Sequence, residues 1–427
     1  MVVKEVAMTR RKVVAMLLIL SLFSFSAFAD VHITLLNTKA EIQAQLEDVA
    51  KVFSAENSGI TLEIQPVQAS TSPFQALSTL YASGNAPSLA MMDPADIPLF
   101  AEKFLDLKNE KWVKDSTDNF EAVKTKSGAI MAFPLTVEGY GLIYNKAVLA
   151  KAGVDPTTIH TTAALERAFQ KVQASGTDAL IIAPMDWSLA AHFLGIAYSV
   201  TAKNQSGLDT FIANLKAGKA DVSKNKAFVG LLDTFDVMKK YNAGKADPLA
   251  ITLDECPALL GRGKVGFYFM GDWAWPSLSS FAADQNGFSF IPVPLSNNTS
   301  DLGNSEIPVG VTKYIGIDKM QNSPEQQAAA RKFLDWLVYS KSGQDAMVNT
   351  CSIIPAFKNI TLSPTDPHPL SESIRAYVAK EQTLFWVSIP APDHWSKVGA
   401  SMQKYLADKI DRHELYAEIN DFWKTTK

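Results

Sequence analysis

The chain has 427 residues, 47% hydrophobic and 20% charged, with 40 Lys+Arg against 44 Asp+Glu. That length exceeds what one hydrophobic core organises and points to two domains. The acidic balance argues against nucleic acid as a partner and against adhesion to an anionic membrane.

In chain order, the first element reads as a leader. Arg10-Arg-Lys12 is basic, Val13 to Phe25 is apolar except at Ser21 and Ser24, and Ala27-Phe-Ala29 is a small-x-small cleavage signal. This is the pattern of a secretory signal peptide, residues 1–29, cut after Ala29. Its apolar run is shorter than the roughly 20 residues a bilayer span needs. Met1 and Met8 are both candidate starts, and no cysteine near the cut suggests a lipid anchor. Removing the leader leaves 36 Lys+Arg against 43 Asp+Glu, a net charge of −7. The expectation is an exported, periplasmic protein.

Strand and helix patterns then alternate. His32 to Leu36 reads as a strand, and Glu41 to Ser54 as a helix with Ile42, Leu46, Val49, Ala50 and Phe53 on one face. Thr61–Val67 alternates as a second strand, Phe74–Ser83 is a helix stopped at Gly84, and Ser88–Met92 is a third strand before a helix at Asp96–Phe104. Such alternation predicts an α/β fold with a mostly parallel, doubly wound sheet. Residues 133–143 break the rhythm as one long extended segment entered by Pro134, read as a crossover between domains. Helices follow at 146–152, 162–174, 191–200, 208–217, 225–241 and 254–260, with a strand at 179–183. Gly263 to Met270 is a buried strand running into Gly271-Asp-Trp-Ala-Trp275, and 289–295 and 351–357 read as second and third crossovers.

In open α/β sheets, ligands bind beyond the carboxyl ends of strands. Lys39 and Glu41 follow the first strand, Asp93 and Asp96 the third, and Asp272 and Trp273 the strand ending at Met270. Glu138 and Tyr140 fall on alternate positions of the first crossover. A carboxylate accepts hydrogen bonds from hydroxyls, and an indole face packs on apolar C–H surface. Together they suit a sugar ring. Trp275 stands open between core and site, whereas Trp336 sits in a helical run with Phe333 and Leu337 and reads as core. The six histidines are scattered without ligand spacing, so no metal or cofactor is expected. Cys256 and Cys351, in an exported chain, allow either a disulfide or two buried thiols.

Several strings carry a family resemblance. They are Leu36-Asn-Thr-Lys-Ala-Glu41, Leu80-Tyr-Ala-Ser-Gly-Asn-Ala-Pro87, Pro134 to Lys146, Gly263 to Trp275, Glu325 to Trp336 and Ile353 to Phe357. In this order and behind a leader, the chain resembles the family 1 extracellular solute-binding proteins of bacterial ABC sugar importers, the group that includes maltose-binding protein. The resemblance implies a two-lobed periplasmic-binding-protein fold with a hinge of crossing strands and a ligand cleft between lobes. It implies a first lobe of residues 30–138 and 292–353 and a second of 139–291 and 354–427. It implies a monomer that takes a carbohydrate and hands it to permease subunits with a cytoplasmic ATPase. It adds Trp187 as an aromatic past a second-lobe strand, Gly310 as a glycine that leaves room for ligand, and Trp395 as a stacking aromatic.

This chain departs from that pattern where maltose-binding protein has cleft aromatics. It has Met92 and Asp93 at one such place and Met185 and Asp186 at another, so maltose itself is not implied. A glycoside-active enzyme would need two carboxylates about 5–9 Å apart, for which Glu138 and Asp272 are candidates. No nucleophile elbow, P-loop or dinucleotide fingerprint accompanies them. An anionic ligand such as a glycerophosphodiester calls on arginine forks. Arg167, Arg262, Arg331, Arg375 and Arg412, the arginines beyond the leader, all lie outside the segments assigned to the cleft.

Overall fold

The computed structural model describes residues 30–68, 71–361, 368–389, 391 and 393–426. The leader expected at 1–29 lies outside the described residues. The strands are β1 (Val31–Asn37), β2 (Ile60–Pro66), β3 (Leu89–Met92), β4 (Phe133–Asn145), β5 (Asp178–Ile181), β6 (Val265–Gly271), β7 (Phe288–Ile291), β8 (Ile307–Ile317), β9 (Ile354–Pro355) and β10 (Thr383–Phe385). Their hydrogen-bonded order is β2-β1-β3-β8-β4-β6-β5. β1 runs parallel to β2 and β3, and β5 parallel to β6, with helices between them in sequence. The α/β reading holds and the fold is that of the periplasmic binding proteins, but the sheet is mixed rather than mostly parallel: β8 runs antiparallel to β3 and β4, and β4 antiparallel to β6, β7 and β9.

The centre of this order is β4. Its first half, Phe133 to Gly139, pairs antiparallel with β8, and its second half, Tyr140 to Tyr144, pairs with β6. Twelve of its thirteen residues are buried and only Val137 is partly open. A buried strand with so little alternation must be covered on both faces. Gly141 permits one close approach: a Cβ there would stand 2.7 Å from the Ile291 carbonyl oxygen. The return crossing is made by β8, not by 289–295. Within that segment β7 pairs with the far end of β4, at Leu142–Asn145. Both segments are short and apolar, and periodicity alone does not separate a hinge strand from a ladder strand. The segment 351–357 contains β9, which pairs with Thr136 and Val137 of β4.

The buried apolar side chains form separate clusters. One draws on Ile33 to Leu135 and Tyr314 to Ile360. A second draws on Tyr140 to Leu295 and Leu384 to Trp423, and a third, from Ile143 to Ile307 with Leu370 and Ile374, lies on the other face of the same strands. The helix Gln43–Glu56 buries Leu46, Val49, Ala50 and Phe53, as its spacing predicts. The helix Pro324–Tyr339 opens on a capping box of Ser323 and Gln326. It places Phe333 and Trp336 with ring centroids 5.0 and 5.4 Å from that of Phe53, and the Trp336 indole N–H donates to Glu56 Oε2 at 2.7 Å. Trp336 is therefore core. Trp275, 4% exposed in the third cluster, is core as well.

Cys351 belongs to the first cluster and Cys256 to the third, and both are free and buried. Burial pushes each thiol up to about 12, so neither is a ready thiolate. Alkylation of the unreduced, denatured protein should add two labels by mass spectrometry. A mass two hydrogens short with no label would contradict this arrangement.

Candidate functional site

Past the end of β1 the backbone folds back on the Asn37 side chain. Asn37 Nδ2 donates to the Lys39 carbonyl at 2.9 Å, and its Oδ1 accepts from the Lys39 N–H at 2.8 Å. This turn aims Lys39 inward, where it is 3% exposed. Its ammonium donates to Glu138 Oε1 at 2.6 Å and lies 2.7 Å from Glu41 Oε1. The other Glu138 oxygen accepts from the Thr312 hydroxyl. Burial alone would lower the lysine's pKa, but Glu138 and Glu41 outweigh it and hold the pKa above its ordinary range. The end of β1, the middle of β4 and the middle of β8 are thus tied by one polar knot.

The polar wall continues past β3. Asp93 accepts from the Lys313 ammonium. Asp96 is 7% exposed, and its carboxyl makes no hydrogen bond among the described residues. Burial, reinforced by Asp93 and opposed by Lys313, pushes Asp96 up to about 7. Asp272 is 4% exposed and accepts from the Gly139 N–H at 3.0 Å. Burial and the Glu138 charge hold it well above the usual carboxylate range.

The opposite wall is aromatic. Trp187, Trp273, Trp386 and Trp395 are half-buried and line a cleft of about 400 Å³. Trp273 lies 6.4 Å from Trp187 and 6.3 Å from Trp386 between ring centroids. Lys39, Glu41, Asp93, Asp96 and Glu138 line the same cleft. Eight of the expected residues therefore meet there. Three do not. Tyr140, 1% exposed, packs behind the wall against Trp386 at 5.1 Å, because its position on β4 faces the second cluster. Asp272 is turned into the β4 backbone and acts as a buried brace rather than as lining. At Gly310 a Cβ would come within 2.4 Å of Trp386 Cβ, so the missing side chain makes room for that tryptophan rather than for ligand.

Sequence reasoning missed Trp386, His192, Thr312 and Lys313, which also line the cleft. Trp386 had a usable signal, since it follows β10, which runs parallel to β8. The carboxyl-end rule applied to β10 would have found it. A larger, open depression of about 860 Å³ lies elsewhere, around Asp236, Lys239, Tyr405 and Arg412. Several of its charges are already paired, Arg412 with Asp233 and Asp236, and Lys239 with Asp408 at 2.8 Å. The cleft, with unpartnered Asp96 facing open indoles, is the better site.

Residues 48–370 match the bacterial extracellular solute-binding protein family. The chain belongs to that family. It is an extracytoplasmic, non-enzymatic class. One relative is an uncharacterised ABC transporter extracellular-binding protein of Pyrococcus horikoshii, 25% identical over 319 residues. That stretch covers 72% of this chain and 65% of the relative's length. Among solved structures, RafE in complex with raffinose superposes with a TM-score of 0.76 at 17% identity, covering 92% of this chain and 99% of that one. A chitin oligosaccharide binding protein gives 0.74 at 20% identity, over 92% and 98%. Maltose-bound T. maritima MalE3 gives 0.73 at 18%, over 92% and 99%. At these identities the likeness is one of fold.

Two predictions follow from the polar wall. Lys39→Met leaves Glu138 buried without its counter-charge and should destabilise the protein by about 3–5 kcal/mol in urea unfolding; a change under 1 kcal/mol would contradict the knot. Asp96 holds its proton more tightly folded than unfolded. The folded state therefore binds the extra proton between about pH 4 and pH 7, and stability falls as pH rises through that window. Asp96→Asn should flatten that fall between about pH 4 and pH 7, and an unchanged slope would refute the assignment.

Proposed function

We propose that the protein captures a neutral sugar or oligosaccharide in this cleft and delivers it to an ABC importer. The observation that carries the reading is a wall of carboxylates facing a wall of half-buried indoles. The first wall accepts hydrogen bonds from hydroxyls, and the second covers the C–H faces of pyranose rings. A cavity of about 400 Å³ is within the range of small-molecule sites. The raffinose, chitin oligosaccharide and maltose named with the structural relatives support the same class of ligand. An anionic ligand is the weaker reading, because among the described residues no arginine lines the cleft.

The mechanism we infer is hinge closure. Residues 30–138 with 292–353 move as one lobe, and 139–291 with 354–427 as the other. The separate apolar clusters support this division. Val293, Leu295 and Ile307 pack with the second lobe and Phe357 and Ile360 with the first, so two of the joints fall later along the chain. β4, β8 and β9 are the strands that run between the lobes. Ligand contacts made to both walls exist only when the walls are close, so ligand shifts the population toward the closed form. The protein would act in the periplasm as a monomer. Its partners would be two membrane subunits and a cytoplasmic ATPase.

A thermal-shift screen against mono- and oligosaccharides tests the reading, since a ligand at 100 times its Kd stabilises by about 2.7 kcal/mol. Trp273→Ala should then weaken the best hit by roughly 1–3 kcal/mol by calorimetry while the protein stays folded. Unchanged affinity would remove Trp273 from the site.

A further inference from the structure

The segment Ser188–Phe193 is a π-helical turn between Trp187 and the α-helix Leu194–Ala202. Such turns are rare and are found frequently at functional sites. This one carries His192 into the middle of the aromatic wall. Its ring centroid lies 4.9 Å from Trp273, 5.0 Å from Tyr140, 5.4 Å from Trp187 and 5.5 Å from Trp386. His192 lines the cleft. Its Nδ1 is sealed from solvent without a hydrogen-bond partner. Among the described residues, Nε2 has no partner either.

Burial pushes the imidazole down to about 3, with Asp93 and Lys313 acting in opposite directions across the cleft. The ring is therefore neutral and carries one proton. A sealed N–H without an acceptor is a rarer orphan than a bare lone pair. The proton accordingly belongs on Nε2. The wall then gains an imidazole donor where the opposite wall offers carboxylate acceptors.

We propose that His192 is a specificity-determining residue whose Nε2–H donates to an oxygen of the bound sugar. The proposal rests on the carbohydrate reading above. A sugar hydroxyl can give its proton to a carboxylate of one wall while accepting from His192 of the other. Sugars that place an oxygen there are selected over those that place a C–H there, because only the oxygen gives Nε2 the partner it lacks without ligand.

The test uses the full exported protein, His192→Phe, His192→Gln, and raffinose, maltotriose and chitotriose as probes. His192→Phe keeps a ring and removes the orphan nitrogens. Its ligand-free melting temperature should rise, and its affinity for whichever probe the native protein binds should fall tenfold or more. His192→Gln restores a donor and should recover part of that affinity. Nitrogen NMR of the native protein should show the proton on Nε2. Affinity of His192→Phe within twofold of native, or a proton on Nδ1, overturns the proposal and leaves the carbohydrate reading standing. Failure of the native protein to bind any of the probes removes the carbohydrate reading, and the proposal falls with it.

Discussion

A buried lysine cannot stay charged without company, and Lys39 finds it in Glu138 and Glu41. That pairing constrains much of what surrounds it. Glu138 must sit on β4 at the point where the strand leaves β8 and joins β6. Thr312 must present its hydroxyl from β8, and Asn37 must fold the end of β1 back so that the lysine points inward. The knot fixes the floor of the cleft at the place where the chain crosses between its apolar clusters. A hydrophobic substitute could fill the volume, but it would not hold the end of β1 and the middles of β4 and β8 in a register that leaves polar atoms facing the cleft.

The two walls divide the work of recognition. Carboxylates at Glu41, Asp93, Asp96 and Glu138 offer acceptors, and three of them are occupied, Glu41 and Glu138 by Lys39 and Asp93 by Lys313. Asp96 is not, and its raised pKa reflects a carboxyl kept out of water with no partner of its own. Opposite, the tryptophans leave ring faces partly open. A polyhydroxylated ring has both surfaces to offer. The surface depression near Arg412 is larger, yet its Arg412 and Lys239 already hold carboxylate partners, which shows why volume alone is a poor guide to a site.

Most of the fold was legible because local patterns agreed with it. The alternation through the first three strands, the amphipathic spacing of Leu46, Val49, Ala50 and Phe53, and the long extended run at 133–143 each carried their own signal. Lys39, Glu41, Asp93 and Asp96 were legible for the same reason, as residues just past strand ends. What failed depended on packing between distant segments. Nothing local tells that Tyr140 faces inward, or that Gly310 yields its space to Trp386, a residue 76 positions further on. His192 was invisible because a helical pattern does not reveal a π-turn. The second crossing was misplaced because 289–295 and 307–317 are both apolar extended runs, and only their partners distinguish them.

The central claim is that ligand closes one lobe on the other about β4, β8 and β9. Small-angle scattering of the purified protein, with and without a saturating sugar identified by thermal shift, tests it most directly. The account predicts a smaller radius of gyration with sugar bound. Superimposable profiles in the two states would contradict it.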